Sequence, residues 1–124
     1  MSTADLNSLR AEKFIHLTTT GRRTNRLHMV ELWFAVGDGK IYLSHEGERT
    51  DWMKNISRNG KVSFEIGGKH FVGKAHHIED HTEEARKGKV ALYEKYYGKA
   101  NEEVIEDWFS LSRLLAIETI DVQR

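Results

Sequence analysis

Two short glycine-bearing turns, Gly37-Asp38-Gly39 and Gly67-Gly68, each separate a pair of runs with strand character. Connections this short join only antiparallel neighbours, because parallel strands need a crossover of about a dozen residues or more. The run Lys61 to Ile66 alternates, with Val62, Phe64 and Ile66 on one face, and Lys69 to Glu79 returns after the turn. Gly73 inside the return run predicts a bulge or a close backbone approach. Around the other turn, Arg26 to Val36 leads into Lys40 to His45, where Ile41 and Leu43 share one face and Tyr42 and Ser44 the other.

The β-branched run Lys13 to Thr20 and the final run Ser112 to Val122 complete six predicted strands. Ser2 to Glu12 reads as a short helix with Leu6 and Leu9 on one face. Thr50 caps a second helix running to Arg58, in which Trp52, Met53 and Ile56 form the apolar side and Asn59-Gly60 is the stop. Asp80 and Glu83 form a capping-box pattern for a third helix, which carries Leu92, Tyr93, Tyr96 and Tyr97 and ends at Gly98. Glu103 to Ser110, with Val104, Trp108 and Phe109, is a fourth. Helical crossovers are too few for a parallel doubly wound sheet. The expected fold is mainly β (α+β): a six-stranded antiparallel barrel with flanking helices, in one domain over residues 1–124.

A chain of 124 residues with 39% hydrophobic residues can bury a core without a metal or disulfide. Its formal net charge is +0, so no overall field favours nucleic acid. The absence of cysteine removes thiol catalysis and Cys-based metal centres. The polar start lacks an apolar leader and no apolar run is long enough to span a membrane, so a cytoplasmic location is expected. Hydrolase, P-loop and dinucleotide-binding signatures are missing. A bound cofactor would therefore carry any chemistry.

The stretch Leu17 to Asn25 is where such a cofactor would be held. Three threonines end a strand, Gly21 breaks it, and Arg22 and Arg23 follow. Thr20, free amides and two guanidiniums at one corner suit a phosphate or carboxylate, and arginine binds phosphate as a bidentate fork. Asn25 tolerates the left-handed conformation such a turn uses. A second group comprises Ser44, His45, Gly47, Arg49 and Thr50, where a strand ends, a glycine opens the backbone and a helix N-terminus attracts anions. Trp52 and Asn55 follow on that helix, Trp52 as core anchor or ring stacker and Asn55 as ligand contact or fold-locking hydrogen bond. His28 is either a cofactor contact or a hydrogen-bonded barrel histidine. His76, His77 and His81 cross a strand-to-helix junction and lack helical ligand spacing, so no metal site is assigned.

The run Thr18 to Phe34 (TTTGRRTNRLHMVELWF) resembles the opening motif of the deazaflavin-dependent nitroreductase-like oxidoreductases. These belong to the flavin-binding split-barrel group that includes pyridoxamine phosphate oxidase. Ser44 to Val62 (SHEGERTDWMKNISRNGKV) resembles their second motif, and the likeness extends from about Ile15 to Asp80. The chain departs from the family pattern at Asn25, often glycine there, at Leu27 and Gly60, often proline, and in a loop after Ser44 with fewer glycines. The resemblance implies a split barrel and a homodimer with cofactor sites at the subunit interface. It implies a flavin-type cofactor, F420 favoured and FMN the alternative, and hydride transfer to a small electron-poor substrate. A non-catalytic carrier or sensor is the other reading the fold allows.

Overall fold

The computed structural model describes residues 6–46, 50–99, 101, 103 and 112–123. Seven strands form one antiparallel sheet: β1 Ile15–Thr20, β2 Leu27–Leu32, β3 Ala35–Gly37, β4 Lys40–Glu46, β5 Lys61–Ile66, β6 Lys69–Ile78 and β7 Ser112–Val122. Among the described residues two α-helices accompany them, α1 Asp51–Arg58 and α2 Glu83–Tyr97. In the sheet the order is β2-β1-β5-β6-β7-β4-β3. β2 and β3 therefore occupy opposite edges, yet only Trp33 and Phe34 separate them in sequence. The sheet must curl until its edges approach, and without a ladder between β2 and β3 the result is a split barrel.

The seventh strand corrects the expected count of six, because the run Arg26 to Val36 is broken at Trp33–Phe34. The Tyr96 hydroxyl accepts from the Phe34 N–H at 2.9 Å and lies 2.9 Å from the Phe34 carbonyl and 2.7 Å from that of Lys13. Those backbone groups leave the ladder, and the chain turns from one edge to the other. Trp33 stacks on the same Tyr96 ring, with centroids 4.2 Å apart.

Alternation divides the packing between two cores. Inside the barrel lie Ile15 and Leu17 of β1, Ile41 and Leu43 of β4, Val62, Phe64 and Ile66 of β5, and Leu115 and Ile117 of β7, closed off by Trp52, Met53 and Ile56 of α1. Tyr42, Leu114 and Ala116 point the other way, against Ala85 and Leu92 of α2. The bulge predicted at Gly73 is present, with the β6–β7 register shifting between Val72 and Lys74. A Cβ at Gly73 would come within 2.6 Å of Ile117 Cγ2.

Three further expectations need correcting. Of the N-terminal helix expected over Ser2 to Glu12, the described part contains a 3-10 turn, Leu6–Leu9, whose two leucines pack into the barrel core. α2 is capped by Thr82, whose hydroxyl accepts from the Ala85 N–H at 3.1 Å, and not by Asp80, which pairs with buried Lys89 at 3.3 Å. Thr50 sits at the N-cap of α1, but its side chain makes no capping bond. The helix expected over Glu103 to Ser110 falls almost wholly outside the described residues.

Small residues seat α2 on the sheet. A Cβ at Gly88 would lie 2.6 Å from Leu114 Cδ2 and 2.9 Å from Tyr42 Cδ1, both in buried side chains. Alanine there gains about 1 kcal/mol of helix propensity. Overpacking a fixed core costs more, so Gly88→Ala is expected to destabilise the fold by about 1–3 kcal/mol net, read from the urea midpoint. Beside this contact Lys40 and the Tyr42 hydroxyl both bind Glu84. The Lys40 hydrogen bond lowers the Glu84 carboxyl and raises the Lys40 amine, while burial pushes the Tyr42 phenol up to about 12.

Candidate functional site

The loop between β1 and β2, residues 21–26, is closed on itself. Gly21 N–H donates to the Arg26 carbonyl at 2.7 Å, and Asn25 N–H to the Gly21 carbonyl at 2.9 Å. Asn25 adopts φ 60°, the left-handed region its residue type tolerates. Glycine at position 21 answers a close approach: a Cβ there would lie 2.8 Å from His28 Nε2. Arg26 N–H reaches Thr24 Oγ1 at 3.3 Å, so most of the loop amides expected to be free are used within the protein.

Asn55, 3% exposed, ties this loop to α1. Its Oδ1 accepts from the Arg22 backbone N–H and from Arg22 Nη1, each at 3.1 Å. Its Nδ2 donates to Thr19 Oγ1 at 3.2 Å. The other guanidinium nitrogen, Nη2, lies 3.3 Å from Asp51 Oδ1. Of the two roles open for Asn55, the structure shows the fold-locking bond, and its effect is to aim the Arg22 side chain. Arg23 is exposed on the same loop.

A cleft of about 390 Å³ opens beside this bridge, walled by residues 21–24 of the loop, 28–30 of β2, and Asp51, Trp52 and Asn55 of α1. Five sequence candidates thus come together there: Arg22, Arg23, His28, Trp52 and Asn55. Trp52 is a core anchor of the barrel that also lines the cleft. Thr20 ends β1 but alternates away from Thr19, and Thr19 is the threonine that meets Asn55. Thr50 immediately precedes Asp51, and its Oγ1 is buried without a hydrogen-bond partner among the described residues. Ser44 and His45 pair with Leu114 and Arg113 on β7 and are not among the cleft walls. Gly47 and Arg49 lie outside the described residues.

Sequence reasoning missed Thr19 and Asp51. Alternation from Ile15 through Leu17 was the available signal for Thr19. Asp51 looks like any acidic residue in a first helical turn. The histidines have structural partners: the His77 ring bonds Ser57 Oγ at 2.8 Å and the Met53 carbonyl at 3.2 Å, and His76 lies 3.7 Å from Glu118. Among the described residues, no group of three or more His, Asp or Glu is placed to hold a metal. No described helix is long and apolar enough to cross a membrane.

Away from the cleft, the Lys95 ammonium is buried without a hydrogen-bond partner among the described residues, 3.5 Å from the Phe34 ring centroid. Burial lowers its pKa to about 8; Glu12 opposes the shift and Arg10 adds to it. The folded state thus binds this proton more weakly than the unfolded state. The resulting penalty is complete below about pH 8 and is relieved as pH rises from there towards 10.5, so this group alone makes stability increase with pH over that window. Lys95→Met is expected to raise the melting temperature at pH 7 by about 2–6 °C. The gain over wild type should shrink in melts at pH 9.5, and an equal gain at both pH values would show that the ammonium is not the cause.

Residues 5–104 match the family model of the F420H(2)-dependent quinone reductases. Solved structures with the same fold include a conserved hypothetical protein of Mycobacterium tuberculosis, at 22% identity and TM-score 0.74 over 100% of this chain and 82% of the other. An F420-H2 dependent reductase matches at 20% identity and TM-score 0.68, over 85% and 93%. The heme storage protein HutZ of Vibrio cholerae matches at 16% identity and TM-score 0.68, over 98% and 95%. At these identities the structural matches establish the fold alone. Comparison with curated proteins gives no match. With most of its length covered by that model, the chain belongs to the F420H(2)-dependent quinone reductase family, an oxidoreductase family whose cofactor is F420.

Proposed function

We propose that the cleft beside Arg22 holds the phosphate-bearing tail of F420 and that the protein uses the reduced cofactor to reduce a small electron-poor acceptor such as a quinone or nitroaromatic. The observation that carries this is the Arg22 guanidinium, aimed by a buried asparagine into an open cleft at the start of a helix. The donor set fits the group. Arg22 is pre-oriented, and Arg23 is available at the rim. When bound, F420 supplies the hydride from its reduced ring.

The chain's own residues bind and orient. Arg22 and Arg23 meet the phosphate, Asn55 fixes the Arg22 side chain, and Trp52 with Val30 forms an apolar wall that limits water. FMN, with a single phosphate, would use the same two arginines. A homodimer with its sites at the subunit interface belongs to the same reading. Leu27 and Met29 of edge strand β2 are 73% and 71% exposed, and Met29 lines the cleft. A second copy covering that strand would bury them and deepen the site.

The test is a titration of the apoprotein with F420 and with FMN, followed by cofactor fluorescence. Reduced cofactor is then mixed with a panel of quinones and nitroaromatics. Tighter binding of F420 and acceptor-dependent oxidation are expected. Oxidation no faster than without protein across the panel would reduce the assignment to a cofactor carrier.

A further inference from the structure

Asp51 opens α1 and brings its Oδ1 to 3.3 Å from Arg22 Nη2. The two partners of that guanidinium differ in kind. Asn55 is buried, whereas the Asp51 side chain is 86% exposed and that of Arg22 24%. An ion pair open on one side to this extent is weak and easily exchanged. It nevertheless occupies the edge of the guanidinium that a phosphate would take, at a helix start where the backbone dipole favours negative charge.

The geometry points to Asp51 as a stand-in anion: its carboxylate covers Arg22 Nη2 in the free protein and is displaced when a phosphate enters, which weakens anion binding. This inference rests on the reading that the cleft takes the cofactor's phosphate. Binding then exchanges one anion for another at Nη2, while the Asn55 bond at Nη1 stays in place. Asp51 therefore lowers the affinity of the site and is not needed to aim Arg22, which Asn55 holds through Oδ1.

The experiment compares wild type with Asp51→Asn, which keeps the side-chain size and removes the charge. Each is titrated with inorganic phosphate and with F420. Phosphate binding is followed by the NMR shift of the Arg22 backbone amide, which donates to Asn55 and reports on the bridge. Asp51→Asn is expected to tighten both ligands about two- to five-fold, the scale of losing one exposed charge contact. It should leave the Arg22 amide shift of the free protein unchanged. Equal or weaker phosphate affinity in the variant overturns the inference, and so does a shifted Arg22 amide, which would make Asp51 a positioning residue. Tighter phosphate binding in the variant, with no F420 binding by either protein, would uphold the stand-in and refute the cofactor assignment instead.

Discussion

Asn55→Ala is expected to lose about 3–5 kcal/mol of stability and most of the cofactor affinity together. The alanine leaves the Thr19 hydroxyl, wholly buried, and the Arg22 amide without their partners. Each orphaned buried group costs about 1–3 kcal/mol, and the vacated volume adds to that. Against a total stability of about 5–15 kcal/mol, this is a large fraction. The midpoint of urea denaturation measures it. Affinity, measured at a temperature where the variant remains folded, should fall as well, because Arg22 loses the contact that orients it. An unchanged midpoint would mean that the Thr19–Asn55–Arg22 bridge is not the strut joining the loop to α1.

That bridge also marks how far the sequence alone could be read. Both ends of it were visible, Arg22 as a turn arginine after a glycine and Asn55 as a helix residue read as a ligand contact or a fold-locking hydrogen bond. The bond between them was not, because it links residues 33 apart and depends on how α1 lies across β1. β5, with clean alternation and a defined turn, begins and ends at the predicted residues, Lys61–Ile66, and β7 also matches its predicted bounds, Ser112–Val122. The break between β2 and β3 could not be read, since it is made by the Tyr96 hydroxyl, 62 residues further along the chain. At the start of α2 the sequence pattern pointed to Asp80 with Glu83 as the cap. His81, at φ 67°, turns the chain so that only Thr82 meets the helix. In each of these cases local pattern predicted local structure. The bridge and the β2–β3 break were decided by side chains arriving from elsewhere in the fold, and the α2 cap by the left-handed backbone at His81.

The double substitution of Arg22→Ala with Arg23→Ala separates binding from folding in a way Asn55→Ala does not. Truncating Arg22 removes its guanidinium but leaves its backbone N–H, which still donates to Asn55 Oδ1. Asn55 and Thr19 keep their partners, so the denaturation midpoint should barely move. Cofactor affinity should fall at least about 100-fold, because each charge-assisted contact to phosphate contributes about 1.5–3 kcal/mol. The residual binding should respond less to salt than that of wild type. The single variants are expected to be unequal. Arg22 is already held by Asn55, whereas exposed Arg23 must be ordered on binding, at about 0.5–1.5 kcal/mol for an immobilised side chain. Arg22→Ala should therefore account for the larger share of the loss. Should the folded double variant bind F420 as tightly as wild type, the phosphate must lie elsewhere, and the segment from Ser44 to Thr50 would become the next place to map.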